Sequence, residues 1–485
     1  MKYSLFLIRY LVISTIVLFL LLLFTRISFD FINCLAYLSI IILCFNIYYS
    51  SRDISNRIVF FIFQVTFFTF LYGEFFFSLI NEKNAILNLH QLSDETYVHT
   101  YLSLILSLLC IFLGYNLIEK KVKLDPYKKI TSNKDSKIRL ISVILFFISL
   151  ISKAAVLIEK ANFVDTIGYT EYYISYTSSL PFYITGFAAF YYISIFAYLS
   201  TLPSKKKAFP FIFLYILIAI LSLSFGQRNG FVLDILVLLV YFAFRNRLLI
   251  SEKQNSRWIT KKQIFLCICI LPFLLSILYN IGNSRLDIDN PNNTIIENLE
   301  QFFVSQGGSI HVITYGYQLR DNIPNQHLPY ILGPIYDYLT QNVVSQEIFN
   351  FKNWQQDPIA KAREASLYGS SLAYILFPKG YLEGKGMGSN FIAELFHDYG
   401  YLGIIFGSFI IGMIIRYCDT FAVKKWWQFT FLLILIKEII YIPRSSTLGW
   451  LTEVFSIPNI IGILIIVYFS NIVLQKASHR KRVLQ

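Results

Sequence analysis

Residues 140–158 read LISVILFFISLISKAAVLI, nineteen positions with one charged side chain, Lys153. A helix of that length reaches roughly 28 Å, the thickness of a hydrocarbon layer. The stretch is one of a series. Apolar blocks fall at 4–25, 29–49, 58–80, 98–118, 140–158, 181–202, 209–225, 229–244, 264–281, 401–418, 427–442 and 456–474, separated by short polar segments. The fold class expected is therefore an all-α polytopic membrane protein with about twelve transmembrane helices. Composition agrees. Of 485 residues, 56% are hydrophobic and 15% charged, with mean hydropathy +0.57. A water-soluble domain carries about a quarter charged residues, so too little polar side chain is present to coat a globule of this size. A soluble enzyme is excluded.

Charge supplies direction. Lys plus Arg is 42 against 29 Asp plus Glu, a net +13. Of those cations, 28 lie near Lys2 and Arg9, in the segments 51–57, 119–139, 203–210, 245–263 and 416–426, and in the tail 476–482. In a twelve-span arrangement all of these fall on one side, which by the positive-inside rule is cytoplasmic, as are both termini. This positive charge faces a lipid bilayer, and nucleic acid need not be invoked. The six cysteines (Cys34, Cys44, Cys110, Cys267, Cys269, Cys418) sit inside apolar blocks as small hydrophobes, with no disulfide framework and no metal-type spacing. The apolar run to Phe24 is too long for a signal peptide and reads as a retained first helix.

The chain divides at 1–281, a membrane bundle of nine spans; 282–388, a large external (periplasmic) loop; and 389–485, a short or re-entrant helix followed by three spans. The loop carries seven cations against ten acids and is rich in Asn, Gln, Tyr and Pro. A segment that long can fold as a cap, and such loops are usually functional.

Four places carry candidate chemistry. In Phe225-Gly226-Gln227-Arg228-Asn229-Gly230, two glycines permit a tight turn and Arg228 stands at the outer interface, placed either to bind a phosphate or to anchor the helix and pair with Asp234. In Tyr315-Gly316-Tyr317-Gln318-Leu319-Arg320, with His311 upstream and Arg285 at the loop's start, aromatic, amide and guanidinium groups suit sugar recognition. A solvated loop has the same composition. The run Lys385-Gly386-Met387-Gly388-Ser389-Asn390 opens a short helix on which Glu394, His397 and Asp398 share one face, as a catalytic carboxylate with its neighbours or as helix-capping residues. Pro443-Arg444-Ser445-Ser446 places a second phosphate-ready cation before the last span, with an aromatic-belt anchor as the other reading. Glu74, Lys153, Lys437 and Glu438 lie inside spans and are expected to face the bundle interior. Asp287-Ile288-Asp289 has the form of a metal-holding motif, but three-letter matches are common in acidic loops.

With the glycine-flanked arginine, the late external loop, Gly386-Met387-Gly388-Ser389-Asn390 to Glu394 followed by Tyr399-Gly400-Tyr401-Leu402-Gly403, and Pro443-Arg444-Ser445-Ser446, the chain resembles the bacterial O-antigen polymerase family (Wzy). The likeness covers mainly residues 220–460. It implies an inner-membrane glycosyltransferase of GT-C-like helical architecture with a periplasmic site. Such an enzyme moves a growing glycan from undecaprenyl pyrophosphate to the non-reducing end of the next lipid-linked repeat unit. The resemblance also implies no metal or other cofactor, a chain-length regulator (Wzz) as partner, and a flippase supplying substrate. Under it, Arg228 and Arg444 are assigned to the pyrophosphate and Arg320 to sugar or phosphate. Glu394 or His311 takes the proton, and Arg285, Tyr315, Gln318, Lys385, His397 and Asp398 contact substrate. An O-antigen ligase, a lipid-linked oligosaccharide flippase and a scaffold for surface-polymer assembly are the alternatives.

Overall fold

The structure, a computed structural model, describes residues 29–80, 92–117, 133–226, 228–251, 257–284, 294–354, 356–421 and 425–483. The first expected span, Arg285 and the Asp287-Ile288-Asp289 motif lie outside them. Every regular element among the described residues is a helix. The other eleven expected stretches each fall on one, or on two joined at a break. Six helices are long and apolar enough to cross a membrane, with Ile58–Leu71 and Cys269–Ile281 shorter apolar ones. The remainder fall short for visible reasons. Lys205–Leu221 opens on three lysines, Arg228–Ser251 carries Arg228, Asp234, Arg245 and Arg247, and Trp426–Ile439 ends on Lys437 and Glu438.

Those interior charges find partners. Lys437 Nζ lies 2.6 Å from Asp234 Oδ1 and 3.5 Å from the centre of the Tyr192 ring, whose hydroxyl donates to Asp234 Oδ2 at 3.2 Å. Asp234 is thus tied to Lys437, one helix across, and not to Arg228 at the head of its own helix. An ion pair sealed this way joins Arg228–Ser251 to Trp426–Ile439 with its charges mutually compensated.

At the basic end, Asp419 is fully buried. It accepts the Val59 and Phe60 backbone N–H groups at 2.9 and 3.2 Å and the Tyr115 hydroxyl at 3.0 Å. A remote aspartate thereby caps the start of Ile58–Leu71, satisfying donors that the helix itself cannot. Arg247 donates to the Asp419 carbonyl at 2.6 Å and Arg57 to the Tyr49 carbonyl at 2.6 Å. The basic segments around 57, 247 and 416 converge here.

Two glycine devices shape the opposite end. Gly73 and Gly307 let the helices Gly73–Ile80 and Ile295–Gly307 cross in backbone contact. A Cβ at Gly307 would fall 2.1 Å from the Glu74 nitrogen, and one at Gly73 would fall 2.4 Å from the Phe303 carbonyl oxygen. The helix Phe391–Thr420 is broken at Gly400, whose φ of 61° and ψ of −153° suit only glycine. Its first turns fold back so that Leu395 lies against Gly403 and Gly407, eight and twelve residues on. From Tyr401 to Asp419 the remaining helix rises about 27 Å, enough to span a hydrocarbon core.

The regular elements described in the segment 282–388 are all helices, joined by irregular stretches such as 350–354. Ile295–Gly307 starts with a capping box, Thr294 accepting from the Glu297 N–H and Glu297 from the Thr294 N–H. Phe303 on this helix packs on Phe68 and Phe77. The first part of the segment is therefore built into the bundle, while Gly333–Thr340 through Pro378–Leu382 cover its end.

Candidate active site

The site is organised by Asn390. Its extended backbone ends the glycine-rich run, and its side-chain oxygen accepts the Ile392 and Ala393 N–H groups at 2.9 and 3.4 Å, capping the fold-back helix. Its Nδ2 donates across to the Pro443 carbonyl at 2.9 Å. One turn later Glu394 accepts the Ser389 hydroxyl at 2.6 Å and the Thr447 backbone N–H at 2.7 Å. Asn390 and Glu394 thus clamp the turn 443–447 from both sides, and Arg444 sits inside the clamp. Glu394 is only 1% exposed. One of its oxygens holds this turn and the other holds Ser389.

Arg444 Nη1 donates to the side-chain and backbone oxygens of buried Gln306, at 2.9 and 3.4 Å, and its guanidinium lies 5.5 Å from the Phe70 ring. The Phe70 ring also meets Tyr441 edge-on at 5.7 Å, and the Tyr441 hydroxyl accepts from Asn229 Nδ2 at 3.1 Å. Arg228 opens that helix and donates to the Leu278 carbonyl at 3.1 Å. The segments that carry the two arginines are thereby linked through Asn229, Tyr441 and Phe70. Beside Gln306, across the Gly73–Gly307 crossing, His311 Nε2 lies 2.7 Å from Glu74 Oε2. Arg228, Arg444, His311, Glu74 and Glu394 consequently gather at one end of the bundle.

Arg320 stands apart. The nine-residue helix Ile310–Gln318 rises about 13 Å and carries Arg320 away from His311 and Gln306. Its guanidinium lies 4.3 Å over the Tyr317 ring, and the ring stacks on His99 at 4.0 Å. His99 Nδ1 pairs with the Tyr401 hydroxyl at 3.0 Å, and Phe396 closes the cluster 4.1 Å from the imidazole. Here an aromatic wall meets an exposed cation, the combination that suits a sugar ring.

The remaining candidates occupy varied places. The Tyr315 ring lies 6.0 Å from that of His311, and Gln318 is exposed in the last turn of its helix. Lys385 pairs with Glu383 at 3.3 Å on an exposed loop. Asp398 is turned to a different use. Its oxygens accept the Tyr330 and Ile331 N–H groups at 3.0 and 2.9 Å, fastening the covering segment to the fold-back helix. His397 is held edge-on by Tyr330 and Tyr368, at 4.8 and 5.5 Å, and burial pushes both phenols up from their ordinary value. Glu394 and Asp398 therefore share a helix but grip opposite neighbours.

Sequence reading passed over Gln306, Thr447 and His99. The first two act through contacts between segments more than fifty residues apart, and a lone His in an apolar block carries no signal by itself. No curated protein and no solved structure matches the chain. The sequence model of one family does, over residues 10–477, nearly the whole length, and with it the chain belongs to the O-antigen polysaccharide polymerase family, Wzy.

Proposed function

We propose that the protein elongates a surface polysaccharide by moving the growing glycan from undecaprenyl pyrophosphate to the non-reducing end of the next lipid-linked repeat unit. The observation that carries this reading is the clamped Arg444, linked through Phe70 and Tyr441 to the start of the helix that carries Arg228, at the same end of the bundle as a carboxylate-paired histidine. A lipid-bound donor leaves behind a diphosphate at the membrane surface, and preorganised cations offset the charge that develops there. An acceptor hydroxyl is far too weak an acid to ionise at neutral pH, so a positioned base removes its proton as attack proceeds. In this reading Arg228 and Arg444 take the diphosphate, while Arg320 with Tyr317 and His99 holds sugar further along the acceptor or product.

The same reading places the protein in the bacterial inner membrane with about twelve spans of GT-C-like architecture. Both termini are cytoplasmic, the clamped end is periplasmic, and a chain-length regulator and a flippase act in the same pathway. The basic convergence around Asp419, opposite the clamp, supports that orientation. The test is direct. Purified protein mixed with lipid-linked repeat units alone should yield products of two or more repeats, and a mixture that stays at one repeat overturns the reading.

A further inference from the structure

The proposed reaction needs a base, and two groups compete for the role. Glu394 is enclosed, and its oxygens serve Ser389 and Thr447. His311 differs in every respect that matters. Its side chain is 17% exposed, and that of Glu74 is 21% exposed. It follows Gln306 by five residues across one short turn, and Gln306 orients Arg444. Its Nε2 is engaged by Glu74 at 2.7 Å. Its Nδ1 is buried without a hydrogen-bond partner among the described residues.

Resting on the polymerase reading above, we propose that Glu74 is a positioning residue that fixes His311 as the base, with Nε2–H donated to the carboxylate and the lone pair of Nδ1 kept for the acceptor hydroxyl. The tautomer follows from the pairing. A carboxylate accepts and cannot donate, so it holds the proton on Nε2 and leaves Nδ1 unprotonated in the neutral ring. A buried acceptor with no donor is costly, and an acceptor sugar that displaces the side chains over Nδ1 supplies the missing donor. The step balances. The acceptor oxygen forms a bond to the anomeric carbon, and the bond from that carbon to the diphosphate oxygen breaks, its electron pair staying on the departing lipid diphosphate. The acceptor proton passes to Nδ1, and the imidazolium that results is paired with Glu74 until it returns the proton to water.

The dyad is built by backbone contact. Glu74 follows Gly73, His311 lies four residues after Gly307, and those two glycines hold the helices so close that neither tolerates a Cβ. Two segments more than two hundred residues apart are thereby fixed in register.

The test uses the full chain in lipid nanodiscs with lipid-linked repeat units. Glu74→Gln conserves volume but can donate to Nε2, which moves the ring proton to Nδ1 and removes the base. It should lower kcat about a hundredfold, within the range that acid–base groups contribute, with KM within about twofold. Glu74→Asp should recover part of the loss, His311→Ala should match Glu74→Gln, and the double variant should be no slower than His311→Ala alone. Turnover of Glu74→Gln within threefold of wild type overturns the proposal, as do losses in the two single variants that multiply in the double. The parent reading fails differently: repeat units then stay unjoined with the unsubstituted protein.

Discussion

Replacing Arg444 by alanine separates a diphosphate-binding arginine from a membrane anchor. Among the described residues its Nη1 alone serves Gln306, at 2.9 Å, which orients the group and leaves the rest of the guanidinium edge for a ligand. Removal has two costs. Gln306, 3% exposed, loses the donor to its side-chain oxygen, worth about 1–3 kcal/mol of stability when a buried acceptor goes unmet. The transition state loses a preorganised donor to the leaving group, worth about 10²–10³ in rate, or about 2.7–4 kcal/mol. The folding loss is a fraction of the about 5–15 kcal/mol by which folded proteins are stable, so protein should accumulate while activity falls steeply. Arg444→Lys keeps the charge but not the forked geometry, and should fall between, roughly tenfold down. In a strain lacking the endogenous gene, the assay is the surface-glycan ladder on gels beside membrane-protein level by immunoblot. Arg444→Ala should give single repeats at normal protein level. A full-length ladder from that variant refutes the reasoning, and a lost ladder with lost protein assigns Arg444 to folding.

Four further outcomes follow from the geometry. Arg320→Ala, which disturbs the wall of Tyr317 and His99 and an exposed pairing with Asp321, should raise KM for the acceptor severalfold and leave kcat nearly unchanged in the nanodisc assay. Asp234→Ala strands Lys437 in the bundle interior at about 3–5 kcal/mol and should sharply lower the folded yield in detergent, whereas Asp234→Leu with Lys437→Met should restore it. Asp398→Ala frees the Tyr330 and Ile331 N–H groups and should render the covering segment 324–382 susceptible to limited proteolysis while the bundle stays resistant. Desolvation holds the Asp337 carboxyl above its ordinary 3.8, so its contribution is full below that value and declines as pH rises through the higher folded one. Asp337→Asn should therefore raise the Tm at pH 7 and leave it unchanged at pH 3.

Much of the helical layout is legible because it depends on local runs. Nineteen mostly apolar residues around Phe146 form a helix wherever they sit, and Pro443 ends one whatever lies beyond it. The fold-back is half legible: Gly400 is visible as a glycine inside an apolar pattern, but the direction of the bend depends on Leu395 meeting Gly403 and Gly407. Charges inside spans announce themselves as costly without naming partners. Glu74 is visible as such a charge, but only the fold sets His311 beside it, and only the fold turns Asp234 to Lys437. Asp398 shows the converse limit. The one-face spacing with Glu394 holds on the helix, yet the neighbours that helix packs against give the two carboxylates separate tasks.

The left-handed turn at Gly400 also fixes a depth. Were the helix to run straight, its first nine residues would carry Asn390 about 13 Å beyond Gly400, away from the span. Doubled back, they keep the arginine of that turn close beside the span, so that in the proposed orientation a substrate tethered by a greasy tail need not be hauled out of the bilayer to react. The handedness of one residue sets the altitude of the chemistry.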